Sequence, residues 1–397
     1  MASKTVLILG GGVGGLVLAN KLRKRLGKEH RLLLIDREDR HLFAPSLLWL
    51  MIGQRKPKQI TRELARLERK GIQVVKGEIE AIDPEARTVQ VNGERLQGDY
   101  LVVSLGAQLA PERIPGLAEA GHNLYTLEGS MRIREARREL TRGTLVVLVA
   151  GLPFKCPAAP YEAAMLLEHD LRKRKVRETV NVALYSPEPG PMGVAGPEVS
   201  AGVRQMVEGR KIAYYPQHQV TDVDASRKAI RFSDGAEAHF DFLAYVPPHV
   251  APPPVKDAGL LGESGWVTVD RHTMETRFRG VYAIGDVTGV PLSMGLPLPK
   301  AGVFAHGQAE AVAQTIAAEI TGKGSAGSFD GHGECFIEVG KGKAGFGRGN
   351  FYAEPTPKIK LHQPGRYQHF RKIVFEKYWL WRWFYKAPFG WPIRRSR

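Results

Sequence analysis

The stretch of sequence that decides the fold is TVLILGGGVGG, residues 5–15. Its first half is a short apolar strand, and its second half satisfies G-x-G-x-x-G with Gly10, Gly12 and Gly15. In this pattern the first glycine permits a tight turn, the second lets a pyrophosphate approach the backbone, and the third lets helix and strand pack closely. A helical segment and a second apolar strand follow, and that strand ends at Asp36, which can accept hydrogen bonds from ribose hydroxyls. This order predicts a dinucleotide-binding βαβ unit.

The composition is that of a globular protein with an unusual charge. A chain of 397 residues is long enough for two or three domains, and 43% apolar with 25% charged residues excludes extensive disorder. The formal net charge of +16 favours an anionic partner, such as nucleic acid, an acidic protein or an anionic membrane surface. The alternative is the arginine-rich surface of a thermophile. Because no nucleic-acid-binding motif is present, we expect no nucleic-acid partner.

The cysteine count, the N-terminus and the lengths of the apolar runs exclude further classes of protein. Only Cys156 and Cys335 occur, too few for a disulfide scaffold, and the absence of CxxC and HExxH patterns predicts no metal site. The chain begins without a charged-then-apolar leader, so no cleaved signal peptide is expected. No run of 18 apolar residues occurs, so no membrane-spanning helix is expected.

Two later strands end in turns that suit a flavin. YLVVSLGAQ, residues 100–108, ends in small residues, and GVYAIGDVT, residues 280–288, ends in Gly285-Asp286. A carboxylate at this position can accept hydrogen bonds from ribityl hydroxyls, and a glycine lets the backbone come close. The helix expected over residues 301–320 follows Lys300, and its N-terminus would stabilise negative charge on a reduced flavin. Both segments resemble strand-turn segments of flavoproteins with two dinucleotide-binding domains, and this resemblance implies that the first dinucleotide is FAD.

The junction where a second dinucleotide would bind is altered. A strand-like run leads into GLPFKCPAAPYEAA, residues 151–164, where a nicotinamide-using flavoenzyme carries a second glycine fingerprint. Pro153 and Pro157 exclude the glycine turn, so hydride delivery from NAD(P)H is disfavoured. Cys156 stands there instead, which suggests that electrons arrive through sulfur.

These segments together resemble the sulfide:quinone oxidoreductases, flavoproteins with two dinucleotide-binding domains that are related to the flavoprotein of flavocytochrome c sulfide dehydrogenase. The resemblance covers most of the chain. The matching segments are GGGVGG (10–15), HLFAPSLLWLMIG (41–53), GLPFKCPAAPYEAA (151–164), GVYAIGDVT (280–288), LPLPKAG (296–302) and ECFIEVGKG (334–342).

The fold that the resemblance implies is α/β, with two Rossmann-like dinucleotide-binding domains and a C-terminal amphipathic tail. The FAD-binding domain is expected to be discontinuous, from residues 1–110 and 256–365. The second Rossmann-like domain, residues 111–255, interrupts it and lacks an NAD fingerprint. A Pro-rich segment, residues 250–255, is expected to cross between the two domains.

The resemblance also implies a chemistry for the two cysteines. In that family the matching cysteines flank the flavin ring and form a redox-active disulfide or polysulfide bridge that sulfide attacks. We expect Cys335 to be the flavin-facing partner and Cys156 the sulfur acceptor, with the reverse assignment left open, and Lys155 is expected to lower the thiol pKa of Cys156. Glu162 resembles the family's proton-handling acid, although acids are common in first helical turns. Two unrelated buried thiols are the alternative for the cysteine pair.

The cofactor is expected to be FAD, bound without a covalent link. Many family members carry a third cysteine in the segment corresponding to residues 122–132, and cytochrome-linked relatives tether their flavin after the second strand; this chain has a cysteine in neither place. The expected FAD contacts are Gly10, Gly12, Gly15, Asp36, Pro45, Ser46, Ile79, Gly106, Gly285, Asp286, Lys300 and Gly302. For a quinone, residues 336–351 are a candidate wall, with Phe346 and Ile337 as contacts.

The composition changes at His369, where a basic and aromatic tail begins. By helical spacing, one face carries Phe370, Val374, Tyr378, Trp381 and Tyr385, and the other side carries Arg371, Lys372, Glu376, Arg382 and Lys386. Aromatic rings with basic residues suit the headgroup boundary, so residues 366–397 are predicted to anchor a peripheral protein to an anionic membrane surface. The alternative is a helix packed on the protein's own core or in a homo-oligomer interface.

The predicted function is thus oxidation of sulfide with transfer of electrons to a membrane quinone, and three alternatives stay open. A type II NADH dehydrogenase is also flavin-dependent and membrane-bound, but the missing second fingerprint disfavours it. A sulfide dehydrogenase would deliver electrons to cytochrome c. A flavin-retaining module without turnover could bind a membrane or nucleic acid through the positive charge.

Overall fold

A computed structural model describes residues 2–385. The first domain begins with the predicted βαβ unit, and its strands and helices follow each other closely. They are β1 (Thr5–Leu9), α1 (Val13–Arg25), β2 (Arg31–Asp36), β3 (Arg40–Leu42), α2 (Leu47–Met51), α3 (Pro57–Ile60), β4 (Thr61–Glu63), β5 (Gln73–Lys76), β6 (Ile79–Asp83), β7 (Thr88–Val91), β8 (Glu94–Gln97) and β9 (Tyr100–Val103).

The middle of the chain repeats this plan. Its elements are β10 (Gln108–Leu109), α4 (Leu117–Ala120), β11 (His122–Asn123), α5 (Leu127–Ala136), β12 (Gly143–Val149), α6 (Ala159–Lys173), β13 (Val180–Tyr185), α7 (Pro197–Glu208), β14 (Ala213–Tyr215), β15 (Val220–Asp224), β16 (Ala229–Phe232), β17 (Glu237–His239), β18 (Phe242–Val246) and β19 (His249–Val250).

The last part of the chain returns to the first sheet and then adds new elements. They are α8 (Pro253–Asp257), β20 (Val281–Ala283), α9 (Gly302–Thr321), β21 (His332–Gly340), β22 (Lys343–Asn350), β23 (Lys358–Gly365) and α10 (Arg366–Arg382). The expected Pro-rich crossing contains α8, because Pro253 and Pro254 occupy a first helical turn, where a missing N–H costs nothing.

Two parallel five-stranded sheets form the framework. The first has the order β20-β9-β1-β2-β5, and the second has the order β11-β18-β12-β13-β14. The central strands of both sheets are apolar and buried, as is typical of parallel sheets. Because β20 joins the first sheet only after the second sheet is complete, the predicted α/β fold with a discontinuous first Rossmann-like domain is confirmed.

A third sheet lies beside the second domain. Strands β21, β22 and β23 form an antiparallel sheet in which Phe336 pairs with Phe346. Ile337 and Val339 of β21 join the hydrophobic core of the second domain, which also contains much of α6. The segment that carries Cys335 thus packs against the helix that follows Cys156.

The C-terminal helix α10 packs on the first domain. Trp379, Leu380, Trp383 and Phe384 are buried in the core that also contains α1 and α9. The face predicted to be apolar points outwards: Phe370 is 61% exposed and Trp381 is 38% exposed. No helix within residues 2–385 is long and apolar enough to cross a membrane. The predicted tail continues over residues 386–397, which lie outside the described residues.

One assignment on this helix was wrong. Lys372 was expected on a basic side that contacts lipid, but it is buried, as is Glu376. Both side chains face inwards because each forms an ion pair within the protein. Lys372 pairs with Glu162, and Glu376 pairs with Arg55. The side of α10 that faces the protein is therefore mixed, with aromatic rings and two buried charges.

The packing of α10 on the first domain predicts that substitutions on its buried side destabilise the protein more than substitutions on its exposed side. Leu380 has no exposed surface, so Leu380→Ala is expected to lower the free energy of unfolding by about 2–5 kcal/mol through lost burial and a residual cavity. Val374→Ala, on the 48% exposed face, is expected to change it by less than about 0.5 kcal/mol. Thermal unfolding of the FAD-bound variants measures both, and equal midpoints would contradict this packing.

Candidate active site

The loop between β1 and α1 is shaped for a pyrophosphate. Gly10 has φ +98°, and a Cβ there would lie 2.5 Å from the carbonyl oxygen of Ser104. A Cβ on Gly15 would lie 1.9 Å from the carbonyl oxygen of Gly10. Both positions therefore exclude any side chain, whereas a Cβ on Gly12 would meet nothing within 4 Å. The open space beside Gly12, at the N-terminus of α1, is where a phosphate group can approach the backbone.

Asp36 lies against the same loop. One carboxylate oxygen accepts a hydrogen bond from the backbone N–H of Gly11 at 2.5 Å, and the other accepts one from Glu38 N–H at 2.8 Å. These bonds fix the carboxylate at the end of β2, where a dinucleotide-binding fold holds a ribose. Gly106 follows β9 with φ +69° and has open space where a Cβ would stand.

Two of the residues expected to contact FAD, Ser46 and Ile79, are buried within the protein, whereas Pro45 is exposed. Ser46 donates a hydrogen bond from its hydroxyl to Glu376 at 2.6 Å, so its side chain is tied to α10. Pro45 lies in the same short 3-10 turn, residues 44–46. Ile79 is buried in the core beneath the first sheet.

The other half of the expected flavin site is built from the segment before α9. Gly285, with φ +76°, donates its N–H to Gln308 of α9 at 2.7 Å. Lys300 donates from Nζ to the carbonyl oxygens of Asp286 and Thr288 at 2.7 and 3.0 Å. Burial lowers the pKa of Lys300 to about 7, and the nearby charge of Asp286 opposes that shift. Gly302 begins α9, whose N-terminus carries partial positive charge.

These features fit FAD. Glycines leave open space on the first domain, a fixed carboxylate lies beside them, and a helix N-terminus with a buried lysine lies across from them. Burial raises the pKa of Asp286, while Lys155 and Lys300 counter the rise. A 200 Å³ cavity at the start of α9 is lined by Gly285, Lys300 and Ala301.

The structure brings the two cysteines together. Cys156 and Cys335 are free thiols that line one cavity with an empty volume of about 610 Å³, open to solvent. Cys156 adopts φ +53°, a left-handed conformation that side chains rarely adopt. Its N–H donates to the carbonyl oxygen of Lys300 at 2.6 Å, which joins the second domain to the flavin-binding segment. The sulfur atoms and the expected flavin site thus share one wall.

The cavity is almost entirely apolar. Apart from the cysteines and Glu334, its lining is mainly aliphatic and aromatic: Met192, Val194, Ala195, Val199, Val303, Phe304, Ile337, Phe351, Ile359 and Leu361. Such a lining disfavours ions and admits neutral molecules. Within residues 2–385, no group of three or more His, Cys, Asp or Glu side chains is placed to hold a metal ion.

The thiols are held in their neutral form. Burial raises the pKa of Cys335 to about 12, and the charge of Glu162 adds to the rise while Lys372 opposes it. Burial and the neighbouring Cys335 and Glu162 likewise raise the pKa of Cys156. Lys155 was expected to lower the pKa of Cys156, but that pKa is raised, and the lysine that opposes the rise is Lys372. Burial also lowers the pKa of Lys155 itself.

Glu162 lies at the centre of a buried charge cluster. Its Oε1 accepts hydrogen bonds from Nζ of Lys372 at 2.8 Å and from the backbone N–H of Glu338 at 2.7 Å. Burial raises the pKa of Glu162, and Lys372 counters the rise. Glu338 in turn lies 3.0 Å from Nδ1 of His369. The sequence predicted an acidic residue in the first turn of α6. In the structure its carboxylate is hydrogen-bonded to a lysine of the C-terminal helix, so the N-terminus of α6 is not its only source of positive charge.

Sequence reasoning missed several groups of this site. Lys372 was interpreted as a surface charge, and Glu338 and His369 were not singled out. Tyr125 donates to the carbonyl oxygen of Lys155 at 2.6 Å, and its ring meets that of His249 edge-on at 5.4 Å. Burial and the charge of Lys155 lower the pKa of His249 to about 3. The sequence signal that could have identified Glu338 as part of the site is its position three residues after Cys335.

The two expected quinone contacts, Ile337 of β21 and Phe346 of β22, lie on opposite faces of the antiparallel sheet. Ile337 lines the cysteine cavity, whereas Phe346 faces α10. The ring of Phe346 lies 5.0 Å from that of Phe336, and the Arg371 guanidinium stands 4.6 Å above it. Phe375 of α10 approaches Phe336 at 6.4 Å. An aromatic cluster therefore separates the cysteine-bearing sheet from the C-terminal helix.

Comparison with known proteins agrees with this architecture. Residues 4–309 match the family model described as pyridine nucleotide-disulphide oxidoreductase. The chain belongs to this family of two-domain flavoproteins.

The particular resemblance to the sulfide:quinone oxidoreductases is also confirmed. The chain is 28% identical to a sulfide-quinone reductase of Aquifex aeolicus, over 96% of this chain and 91% of that protein. It is 23% identical to the mitochondrial sulfide:quinone oxidoreductase of Mus musculus, over 90% and 80% of the two chains. The crystal structure of the Aquifex aeolicus sulfide:quinone oxidoreductase superposes with a TM-score of 0.87 at 27% identity, covering 96% of this chain and 92% of that one. The predicted FAD-dependent oxidoreductase is confirmed.

The raised thiol pKa predicts slow alkylation. In the reduced, FAD-bound protein at pH 8, Cys335 is expected to react with iodoacetamide at least ~100-fold more slowly than a free cysteine, because only the thiolate reacts. Glu162→Gln removes a charge that raises this pKa, so alkylation should become faster. Quantitative peptide mass spectrometry measures both rates. Alkylation of Cys335 at the rate of a free cysteine would contradict the raised pKa of this thiol.

Proposed function

We propose that this protein oxidises sulfide at Cys156 and Cys335 and passes the electrons, by way of bound FAD, to a quinone. The single observation that carries the proposal is that both thiols line one apolar cavity whose wall is shared with the expected flavin site. The names of the relatives support the same donor and acceptor.

The chain's own residues supply the sulfur chemistry. When Cys156 and Cys335 are joined by a disulfide, the sulfur of hydrosulfide attacks Cys156, the bond between the two cysteine sulfurs breaks, and Cys335 leaves as a thiolate. Cys156 then carries a persulfide, and the disulfide has taken up two electrons. Bound FAD supplies the two-electron acceptor that such a reduced sulfur pair requires. Because the cavity is apolar, neutral hydrogen sulfide enters it more readily than hydrosulfide does.

The residues that would hold FAD are those of the two walls described above. Gly10, Gly12 and Gly15 with Asp36 would hold the pyrophosphate and ribose, and Gly285, Asp286, Lys300 and Gly302 would lie along the flavin. The binding is non-covalent, since neither cysteine of the chain lies in residues 122–132 or directly after β2.

The exposed side of α10 is the proposed contact with the membrane and the route to the quinone. Six of its large side chains are at least 38% exposed within residues 2–385: Tyr367, Phe370, Val374, Phe375, Tyr378 and Trp381. Arg371 and Lys377 flank them, which suits anionic headgroups. The cluster of Phe336, Phe346 and Phe375 continues from this face towards β21, so a quinone ring has aromatic surfaces to stack on.

Turnover with purified, FAD-bound protein tests the function. We expect sulfide to reduce a short-chain quinone, and Cys156→Ser and Cys335→Ser each to lower the rate at least ~1,000-fold, because neither serine can form a persulfide or a disulfide. NADH should not bleach the flavin, and cytochrome c should not replace the quinone.

Both cysteine variants should keep the visible flavin spectrum, which shows that the cofactor is still bound. Full turnover by either variant, or flavin bleaching by NADH at the sulfide rate, would overturn the proposal in favour of a cysteine-free or a nicotinamide-dependent reaction.

Vesicle binding tests the membrane face. We expect the double variant Phe370→Ser/Trp381→Ser to bind phosphatidylglycerol vesicles at least ~10-fold more weakly than the unaltered protein, because it loses two aromatic side chains that would be buried in lipid. Tyr215→Ser removes a comparably exposed ring on the second domain, 39% against 38% for Trp381, and should leave the affinity unchanged. Equal affinity of all three proteins in a sedimentation assay would rule out α10 as the contact.

A further inference from the structure

The loop between β12 and α6 holds Cys156 in a backbone conformation that residues with a side chain rarely adopt. Its φ is +53°, in the left-handed region, and such a conformation persists only where surrounding contacts hold it. The torsion φ describes the rotation of Cys156 relative to the peptide group before it, whose carbonyl belongs to Lys155 and whose N–H belongs to Cys156. The contacts of that one peptide group therefore help to set the direction in which the thiol points.

This peptide group is hydrogen-bonded on both sides. Its N–H donates to the carbonyl oxygen of Lys300 at 2.6 Å, and its carbonyl oxygen accepts from the hydroxyl of Tyr125 at 2.6 Å. The same hydroxyl lies 3.4 Å from the carbonyl oxygen of Cys156 itself. Tyr125 is 8% exposed, so bulk water has little access to this contact. The peptide cannot rotate unless one of the two hydrogen bonds breaks.

The backbone around Tyr125 is itself fixed. The residue lies between β11 and α5, and its N–H donates to Oδ1 of Asn123 at 2.8 Å. The hydroxyl of Thr126 accepts from the N–H of Gly129 at 2.9 Å and so caps the N-terminus of α5. Because these contacts hold the residues on either side, the phenol is presented to the cysteine loop from a rigid support.

The ring of Tyr125 is also held in place. The imidazole of His249 meets it edge-on at 5.4 Å, and Nζ of Lys155 lies 5.6 Å from its centroid. His249 is fixed in turn, because its Nδ1 lies 2.8 Å from the carbonyl oxygen of Pro247. The substitution Tyr125→Phe would keep these ring contacts and remove only the hydroxyl with its hydrogen bond.

The direction of the thiol matters because a disulfide tolerates little deviation. The Cβ atoms of a disulfide lie about 3.5–4.5 Å apart. Cys335 is placed by β21, which pairs with β22, whereas Cys156 lies on a loop and depends on local contacts. A return of Cys156 to the common right-handed region would turn its Cβ away from its present position beside the shared cavity.

We propose that Tyr125 is a positioning residue for the sulfur pair, whose hydroxyl fixes the peptide before Cys156 and so holds that thiol for reaction with Cys335. This inference rests on the proposed function, in which the two cysteines cycle through a disulfide. The hydroxyl contacts backbone oxygens rather than a sulfur atom. Tyr125 therefore acts through the backbone of Cys156 and is not a catalytic residue.

The alternative is that Tyr125 only fills space in the core of the second domain, to which its side chain belongs. Loss of the hydroxyl would then lower the stability of the protein and leave the chemistry of the thiol pair unchanged. The hydrogen bond to the peptide before Cys156 favours the positioning role, because filling a core position needs no hydroxyl.

The test is the thiol–disulfide equilibrium of the FAD-bound protein with dithiothreitol, under anaerobic conditions and without sulfide or quinone. We expect Tyr125→Phe to lower the equilibrium constant for the disulfide between Cys156 and Cys335 about 10-fold, the effect of losing one buried hydrogen bond. Alkylation of the remaining thiols followed by peptide mass spectrometry measures the disulfide fraction.

Tyr352→Phe is the matched control. The Tyr352 hydroxyl also donates to a backbone carbonyl, that of Arg271, at 2.7 Å, but it does not contact the cysteine loop. We expect this control to lower the thermal unfolding midpoint about as much as Tyr125→Phe and to leave the disulfide equilibrium unchanged. An unchanged equilibrium in Tyr125→Phe, or equal falls in both variants, would overturn the positioning role.

A second measurement separates this inference from the proposed function. Hydrogen–deuterium exchange of the Cys156 amide, read by mass spectrometry with fragmentation, needs neither a disulfide nor sulfide. We expect this amide to exchange at least ~10-fold faster in Tyr125→Phe than in Tyr352→Phe, because its bond to Lys300 opens more often once the carbonyl of the same peptide is free.

The two proposals fail in different ways. If sulfide does not reduce the flavin of the unaltered protein, the proposed function fails, while faster exchange in Tyr125→Phe would still show that Tyr125 fixes the backbone of Cys156. Equal exchange of the Cys156 amide in the unaltered protein and in Tyr125→Phe would overturn the positioning role even in a protein that oxidises sulfide.

Discussion

The hydrogen bonds of one buried carboxylate hold this site together. Glu162 lies on α6, six residues after Cys156, and accepts from the backbone of β21, three residues after Cys335, and from Lys372 of α10. A helix, a strand and the C-terminal helix therefore meet at one oxygen atom. Removing one partner of such a buried pair costs about 3–5 kcal/mol, since the other charge stays behind uncompensated. The same contact that brings the thiols to one cavity also holds the C-terminal helix in place.

This arrangement explains how α10 can be both docked and exposed. Its inner side combines Trp379, Leu380 and Trp383 with two charges that need buried partners, and its outer side keeps aromatic rings that nothing in the described chain covers. A helix that only packed on the core would bury those rings, and a helix that only lay on lipid would leave Lys372 in water. The sulfur site and the proposed acceptor site are thus coupled through one element.

Local patterns in the sequence predicted the framework well. The glycines of residues 10–15 and the apolar strands around them place β1, α1 and β2 within a few residues, because these elements depend on short-range sterics and burial. The cysteines could be paired only by resemblance, since nothing local says that β21 returns to α6. Lys372 and the direction of α10 were misjudged because a helical pattern shows which residues share a face but not which face finds partners in the core. The prediction of a lowered pKa for Cys156 failed for a similar reason, because the sequence shows an adjacent lysine but does not show how deeply the thiol is buried.

The central claim is that Cys156 and Cys335 act on each other through sulfur. The most direct measurement is mass spectrometry of the FAD-bound protein after brief anaerobic exposure to sulfide, with free thiols alkylated before proteolysis. The account predicts one cross-linked species that joins the peptides of Cys156 and Cys335 through two or more sulfur atoms, together with a Cys156 persulfide. Recovery of both cysteines as separately alkylated, unmodified thiols in a sample whose flavin has been reduced by sulfide would contradict it.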